Sequence, residues 1–289
     1  MDAEAAVAAE GTEVRIGLGW RNEISSAILK HLDRIEILEV IIDDYLDFSR
    51  KDIQLLKFIS SQSPVTLHGI ELGLASTIPI EEKRLARFAK LIHLIRPEYW
   101  SEHIAFVRGL GVELHHLGAP PRNLNTFEGL LANLEKTEKI IGISPSMENP
   151  ASPVDPPGSR FTHTEWIQKI SETVENRILL DLHNLYADSV NFGFDPKQFI
   201  LSIPHGKIGT VHIAGGRRIG NTVLDTHRHS VPEQVYELLE FTSSVHRNGF
   251  DVILERDGNY PEFSQILNEL QRARESVQRG RSIHELSEV

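Results

Sequence analysis

The sequence predicts an α/β protein built as a single (β/α)8 TIM barrel, and three observations predict it. Eight short apolar runs alternate with helix-period segments along most of the 289 residues, the pattern of parallel strands joined by crossover helices. Six of the runs end in histidine or a carboxylate. They are VTLHG at His68, YWSEHI at Glu102 and His103, ISPSMENP at Glu148, ILLDLHN at Asp181 and His183, TVHIAG at His212, and VILERD at Glu255 and Asp257. A closed parallel barrel presents all its strand C-termini on one face, so these endings point to one shared polar site. Finally, no Ser/Gly linker, composition shift or internal repeat divides the chain. The Pro/Ser-rich stretch 144–160 directly follows a strand, and reads as a βα loop over the site.

In chain order, strands are expected at 14–19, 35–41, 64–68, 98–104, 140–147, 177–182, 207–213 and 251–255. All are short and apolar, as strands buried on both faces are. Helical periodicity covers 21–33, 50–60, 80–95, 124–139, 163–175, 231–247 and 261–277, with at most a short helix at 195–202. Thr164 ahead of EWIQKI and Pro232 just inside EQVYELLEF are helix-start signals. The expected organisation is a disordered tail over 1–13, a catalytic barrel over 14–277 and a charged tail over 278–289. An open doubly wound sheet competes, but GLGWRN lacks the third glycine of a phosphate-binding turn.

Composition narrows the function. No run of about 18 apolar residues suggests a membrane span. The N-terminus MDAEAAVAAEGTE has no basic n-region of a secretory signal, and a cytoplasmic location is expected. The absence of cysteine excludes disulfides, thiolate metal sites and a cysteine nucleophile. A net charge of −11 argues against a nucleic-acid surface. Arg15/Arg21 and Arg217/Arg218 form local basic clusters that could meet an acidic ligand.

Fourteen histidines are many for this length, and histidine is the commonest metal ligand. Residues two apart in a strand share a face. Asp181 with His183, and Glu255 with Asp257, can therefore converge. Asp225 and His227 in DTHRH have the same spacing. Nine residues are ligand candidates: His68, His103, Glu148, Asp181, His183, His212, Asp225, His227 and Glu255. One ion takes three or four protein ligands, so this surplus implies two or three ions with a carboxylate such as Glu148 bridging. Mixed imidazole and carboxylate ligation suits Fe, Mn, Zn or Co better than Ca or Mg. A single histidine after a strand is as readily a hydrogen-bonded core residue; the shared placement carries the reading. The other nine histidines are read as structural, except His115 and His116, which lie near the expected rim and are candidates for substrate contact.

Taken in order, GLGWR, LEV with YL inside Leu38–Leu46, LHGIELGL at 67–74, SEH at 101–103, ENP at 148–150, LLDLHNLY at 179–186, VHIAGG at 211–216, DTH at 225–227 and LERD at 254–257 resemble the DUF692 family. These are the multinuclear non-haem iron-dependent oxidative enzymes (MNIO) of peptide natural-product biosynthesis. The likeness runs over roughly residues 14–270. It implies a TIM barrel holding two or three irons, Fe2+ or Fe3+, on the nine residues above. Asn149, Asn184 and Asp257 would lie behind the ligands or face substrate. O2 would be the co-substrate, and a residue of a ribosomally synthesised precursor peptide would be oxidised, with a leader-binding partner protein presenting the peptide. Glu148, Asp181 and Asp257 are the expected catalytic carboxylates, and Arg217 or Arg256 would hold a peptide carboxylate. The chain departs from the family at Asn191-Phe192-Gly193, where many members read NHG, and at HHLGAPPRN after the fourth strand. Two rival readings stand beside it. One is a Zn/Mn/Co-dependent isomerase of xylose-isomerase type, or a phosphoesterase. The other is a non-catalytic metal-dependent scaffold that binds a partner.

Overall fold

The computed structural model describes residues 13–109 and 111–285. Its elements run β1 (Arg15–Gly19), α1 (Ser25–Lys30), β2 (Leu38–Ile41), α2 (Arg50–Gln62), β3 (Val65–Gly69), α3 (Glu82–Ile95), β4 (Trp100–His103), a hairpin of β5 (Phe106–Gly109) and β6 (Val112–Gly118), α4 (Leu124–Ile141), β7 (Ser146–Glu148), α5 (His163–Thr173), β8 (Ile178–Asp181), α6 (Leu182–Phe192), α7 (Pro196–Leu201), β9 (Ile208–Ile213), a hairpin of β10 (Arg217–Ile219) and β11 (Thr222–Leu224), α8 (Glu233–Val245), β12 (Asp251–Leu254) and α9 (Phe263–Glu285). Eight strands close into a barrel in the order β1-β12-β9-β8-β7-β4-β3-β2. Every pairing within it is parallel. This is the expected (β/α)8 barrel, and the open sheet is excluded.

Strand alternation splits the barrel into two environments. Leu38, Val40, Leu67, Met147, Leu180, Val211, Ile213, Val252 and Leu254 join the apolar layer beneath the helices. Burying an aliphatic side chain of this size contributes about 1.5–3 kcal/mol. The alternate positions face the lumen and are largely polar: Glu39, Thr66, His68, Ser101, His103, Glu148, Asp181, Thr210, His212 and Glu255, all buried. At the N-terminal mouth these charges are paired. Asp251 accepts from Arg15 Nε and Nη2 at 2.8 and 2.7 Å and from the Tyr99 hydroxyl at 2.7 Å. Arg15 also meets Glu98 at 2.8 Å.

Several local expectations need correction. The strand expected at 140–147 is only Ser146–Glu148, because α4 continues to Ile141 before Gly142 ends it at φ 84°. Helix α5 is capped by Thr162 and Glu165, each side chain bonding the other's backbone N–H; Thr164 lies inside it. Pro232 is the extended N-cap of α8, one residue outside the helix. Helix α6 was not expected. No turn residue separates it from β8, so LHNLYADSVNF reads as a continuation of the strand. Instead the Asp181 side chain accepts from Asn184 N at 2.6 Å and starts the helix at once. The charged tail expected from 278 is helical to Glu285, where Gly280 lets α9 pass against the backbone of α8 at Glu240. The tail expected over 1–13 lies outside the described residues except for Glu13, and so do residues 286–289. Among the described residues, no helix is long and apolar enough to cross a membrane.

Candidate metal centre

The C-terminal mouth gathers the strand-end residues around Glu148. Its Oε2 lies 3.2 Å from His68 Nε2 and 3.3 Å from His103 Nε2, and its Oε1 lies 3.8 Å from His212 Nδ1. On β4, Ser101 and His103 face inward, while Glu102 points to the other side. Glu102 there accepts from His103 N and Leu72 N at 2.9 and 3.3 Å and pins the loop after β3. The far nitrogens of the two imidazoles are held as well. His68 Nδ1 meets Ser101 Oγ at 2.8 Å, and His103 Nδ1 meets the Gly69 carbonyl at 3.2 Å. Both rings therefore present Nε2 to Glu148, with the tautomer set from behind.

A second group forms opposite. Glu255 Oε2 stands 3.2 Å from His212 Nδ1 and 3.1 Å from His227 Nδ1. His227 Nε2 is 2.6 Å from Asp225 Oδ1 and 3.8 Å from Asp181 Oδ2. His227 adopts φ 49°, a left-handed conformation that costs a non-glycine residue of order 1 kcal/mol; the Asp257 N–H holds its carbonyl at 2.7 Å. His183 lies in the first turn of α6, 3.8 Å from Asp225, and not on the strand with Asp181. The two converge through the strand-to-helix turn and not through strand alternation. Gly216 makes room for it, since a Cβ there would sit 2.2 Å from His183 Nε2.

Four trios have ligand atoms within 4.8 Å of one another: His68–His103–Glu148, Glu148–Asp181–His212, Asp181–His227–Glu255 and Glu39–His212–Glu255. They share Glu148, Asp181, His212 and Glu255, so the trios adjoin. Seven of the nine candidate ligands fall in these trios. His183 and Asp225 adjoin them at the rim. Glu148 Oε2, Asp181 Oδ2 and both His183 ring nitrogens are buried without a hydrogen-bond partner. Donors this close yet unbonded suit a cation placed among them, because bare buried polar atoms cost about 1–3 kcal/mol each. Nitrogen and oxygen donors without sulfur suit first-row metals of intermediate hardness.

Electrostatics at the mouth are divided. Burial, with Asp181, Glu255 and Glu39 adding, holds the Glu148 carboxyl well above the usual range. Burial likewise pushes Asp181 up to about 7. Burial holds His103 and His183 down to about 4 and His68 well below its ordinary value. For His212 and His227 burial works the same way, but Glu255 with Glu39 on one, and Asp225 with Glu255 on the other, outweigh it and raise both.

Other expected site residues take different places. Asn149 and Asn184 are buried behind Asp181. Asn149 accepts from Asp181 N at 2.9 Å and donates to its carbonyl at 3.0 Å, and Asn184 Nδ2 donates to Asn149 O at 3.2 Å. Asp257 Oδ2 is 3.3 Å from His227 Nδ1, and its Oδ1 binds Arg21 at 2.6 Å. Arg256 is no substrate clamp: it is buried and paired with Glu269 of α9 at 2.7 Å. Arg15 and Arg21 do not cluster; they sit at opposite ends of β1, each with acidic partners. Arg217 is exposed on the β10–β11 hairpin, and His116 is exposed on β6. His115 lies on the same strand, its side chain outside the described residues. Glu39 was missed. Its Oε1 is 3.0 Å from His212 Nε2. The signal was available as a carboxylate inside the apolar LEVI strand, but attention to strand ends passed over it. Beside Asn149 and Ile104 a mostly apolar cavity of about 50 Å3 opens, with Asp188, His163 and Arg122 as its polar lining.

The chain's likeness to known proteins runs along two lines. The sequence profile of the RiPP precursor modification enzyme MbnB/TglH/ChrH matches residues 15–278. A UPF0276 protein of Anaeromyxobacter sp. (strain Fw109-5) is 28% identical over 260 residues, spanning 90% of this chain and 91% of that one. A UPF0276 protein of Streptomyces avermitilis is 30% identical over 272 residues, covering 91% of this chain and 55% of that longer protein. Among solved structures, a xylose isomerase domain containing protein of Salmonella typhimurium LT2 superposes with TM-score 0.63 at 13% identity, over 91% of this chain and 97% of that one. D-psicose 3-epimerase of Clostridium cellulolyticum H10 gives TM-score 0.61 at 12% identity, over 92% and 99%. At such identities the structural likeness speaks for the barrel fold alone.

Proposed function

This chain belongs to the MbnB/TglH/ChrH family of RiPP precursor modification enzymes, and we propose that it is an iron-dependent oxygenase or oxidase acting on a residue of a ribosomally synthesised precursor peptide. The observation that supports this most is the mouth itself, where carboxylate and imidazole donors crowd together with buried atoms left unbonded. In this reading His68, His103, Glu148, Asp181, His183, His212, Asp225, His227 and Glu255 hold two or three iron ions. When bound, the irons supply the redox chemistry that passes electrons from the peptide to O2.

The remaining steps belong to the protein. Glu148, within reach of three imidazoles, bridges neighbouring ions. Asn149 and Asn184 hold Asp181 by its backbone and cap, leaving its Oδ2 for the centre. Asp257, anchored by Arg21, steadies His227. The exposed Arg217 on the hairpin between His212 and Asp225 is placed to meet a carboxylate of the peptide. The apolar cavity beside Asn149 is sized for a small side chain neighbouring the modified residue. A leader-binding partner protein presents the peptide.

The rival metal-dependent isomerase or phosphoesterase draws on fold likeness only, at 12–17% identity. A non-catalytic scaffold has no use for a bridging carboxylate among unbonded donors. The test is co-expression with a short precursor peptide encoded beside the gene, with and without the adjacent small gene. The expected result is a change in peptide mass that needs iron and O2. Turnover supported by Zn2+ or Mn2+ without O2 consumption would favour the rival, and an unchanged peptide in every combination would contradict the reading.

A further inference from the structure

We propose that Glu39 is a positioning residue that fixes His212 to bind metal through Nδ1. This rests on the metal-centre reading above but not on the peptide chemistry. Glu39 lies in the middle of β2 and is fully buried. A carboxylate is rarely placed there without a strong partner. Among the described residues, its partner within ion-pair distance is His212 alone, with Nε2 at 3.0 Å from Oε1 and 3.1 Å from Oε2.

Each nitrogen of His212 thus faces carboxylate. Nε2 faces Glu39, while Nδ1 faces Glu255 at 3.2 Å and Glu148 at 3.8 Å. A neutral imidazole has one N–H and cannot donate on both sides. The conflict resolves if Nε2–H donates to Glu39 and the Nδ1 lone pair meets a cation shared with Glu255 and Glu148. A carboxylate behind a ligating histidine fixes its tautomer and raises its basicity.

The other histidines sharpen the contrast. His68 and His103 are backed at Nδ1 by a hydroxyl and a carbonyl, and both present Nε2. His212 is turned the other way round and backed by a full charge. Glu39 therefore sets which nitrogen of His212 binds and makes it the most electron-rich imidazole of the three.

The experiment compares wild type, Glu39→Gln and Glu39→Asp. Each is titrated with Co2+ and Zn2+ against a chromophoric chelator, and the cobalt absorption spectrum and the melting temperature of the metal-free protein are recorded. In Glu39→Gln one ion should bind about 10- to 100-fold more weakly with a changed cobalt spectrum. The other ions should be unaffected and the metal-free protein no less stable. Glu39→Asp, which keeps the charge, should fall between. If Glu39→Gln binds every ion within about twofold of wild type, the inference is wrong. It also fails if all ions weaken together and the metal-free protein melts earlier, because Glu39 then only supports the barrel. Wild type that binds no ion would remove the metal centre and this role with it. Intact metal effects with no peptide oxidation would leave Glu39's role standing and sink only the proposed function.

Discussion

The two mouths of the barrel solve the same problem in opposite ways. Both bury carboxylates in a lumen that excludes water. At the N-terminal mouth each acid meets a positive or hydroxyl partner: Asp251 takes three hydrogen bonds from Arg15 and Tyr99, and Arg15 also serves Glu98. That mouth is closed upon itself and acts as a plug. At the C-terminal mouth Arg21 serves Asp257 and stands 3.5 Å from Glu255. Glu39, Glu148 and Asp181 have only histidine within ion-pair distance among the described residues. A protein that can pair its charges at one end and leaves donors unbonded at the other has kept the second end for a cation. The same buried charge is structural where it is satisfied and functional where it is not.

The sharpest way to break this comparison is to remove one acid from each mouth. Glu148→Gln should abolish multi-ion binding and lower activity by more than about 100-fold, beyond the effect usual for residues behind a ligand. The metal-free protein should lose no stability, because the substitution relieves a crowded buried carboxyl. Asp251→Asn should do the reverse. It should cost about 2 kcal/mol, a fall of several degrees in melting temperature, with metal affinity within about twofold of wild type. Melting curves and chelator competition on both variants would check this. Equal metal loss in the two would erase the distinction.

A pH series separates the mouths with no mutation. His212 and His227, raised above the ordinary 6.5, and Asp181, pushed up to about 7, carry protons in the metal-free protein near neutrality. For such groups stability is present at low pH and is lost as pH rises through the folded-state value. Above about 6.5 the histidines held down to about 4 are neutral in both folded and unfolded chains and no longer contribute. The metal-free protein should therefore lose stability as pH rises from about 6.5. Metal binding must displace those protons, so affinity should climb over the same range. Metal affinity flat between pH 6.5 and 8.5 would contradict the assignment of the raised groups to the centre.

The smallest expected effects lie at the rim. Arg217→Ala, on the exposed hairpin, should leave stability within about 0.5 kcal/mol and metal content unchanged, while raising the KM for peptide several-fold. Arg256→Ala should instead destabilise the fold by breaking its buried pair with Glu269, with little change in KM once folded protein is recovered.

The apolar alternation and the strand-end histidines made the barrel and the place of its site legible, because both follow from local periodicity. The N-terminal plug was not legible, since Arg15, Glu98, Tyr99 and Asp251 meet only when the ring closes. Helix α6 was hidden because Asp181 ends the strand, caps the helix and faces the centre at once, so no turn residue marks the change. Arg256 looked available in LERD because its partner Glu269 is on α9. Glu39 lay in plain view but inside a strand, and only closure of β1 between β2 and β12 brings it to His212.

The central claim is that the C-terminal mouth is built for more than one metal ion. The direct measurement is elemental analysis of wild type and Glu148→Gln after anaerobic loading with Fe2+ and removal of excess metal. The account predicts two or more irons per chain in wild type and fewer than one in the variant. Less than one iron per wild-type chain, or equal occupancy in the two proteins, would contradict it.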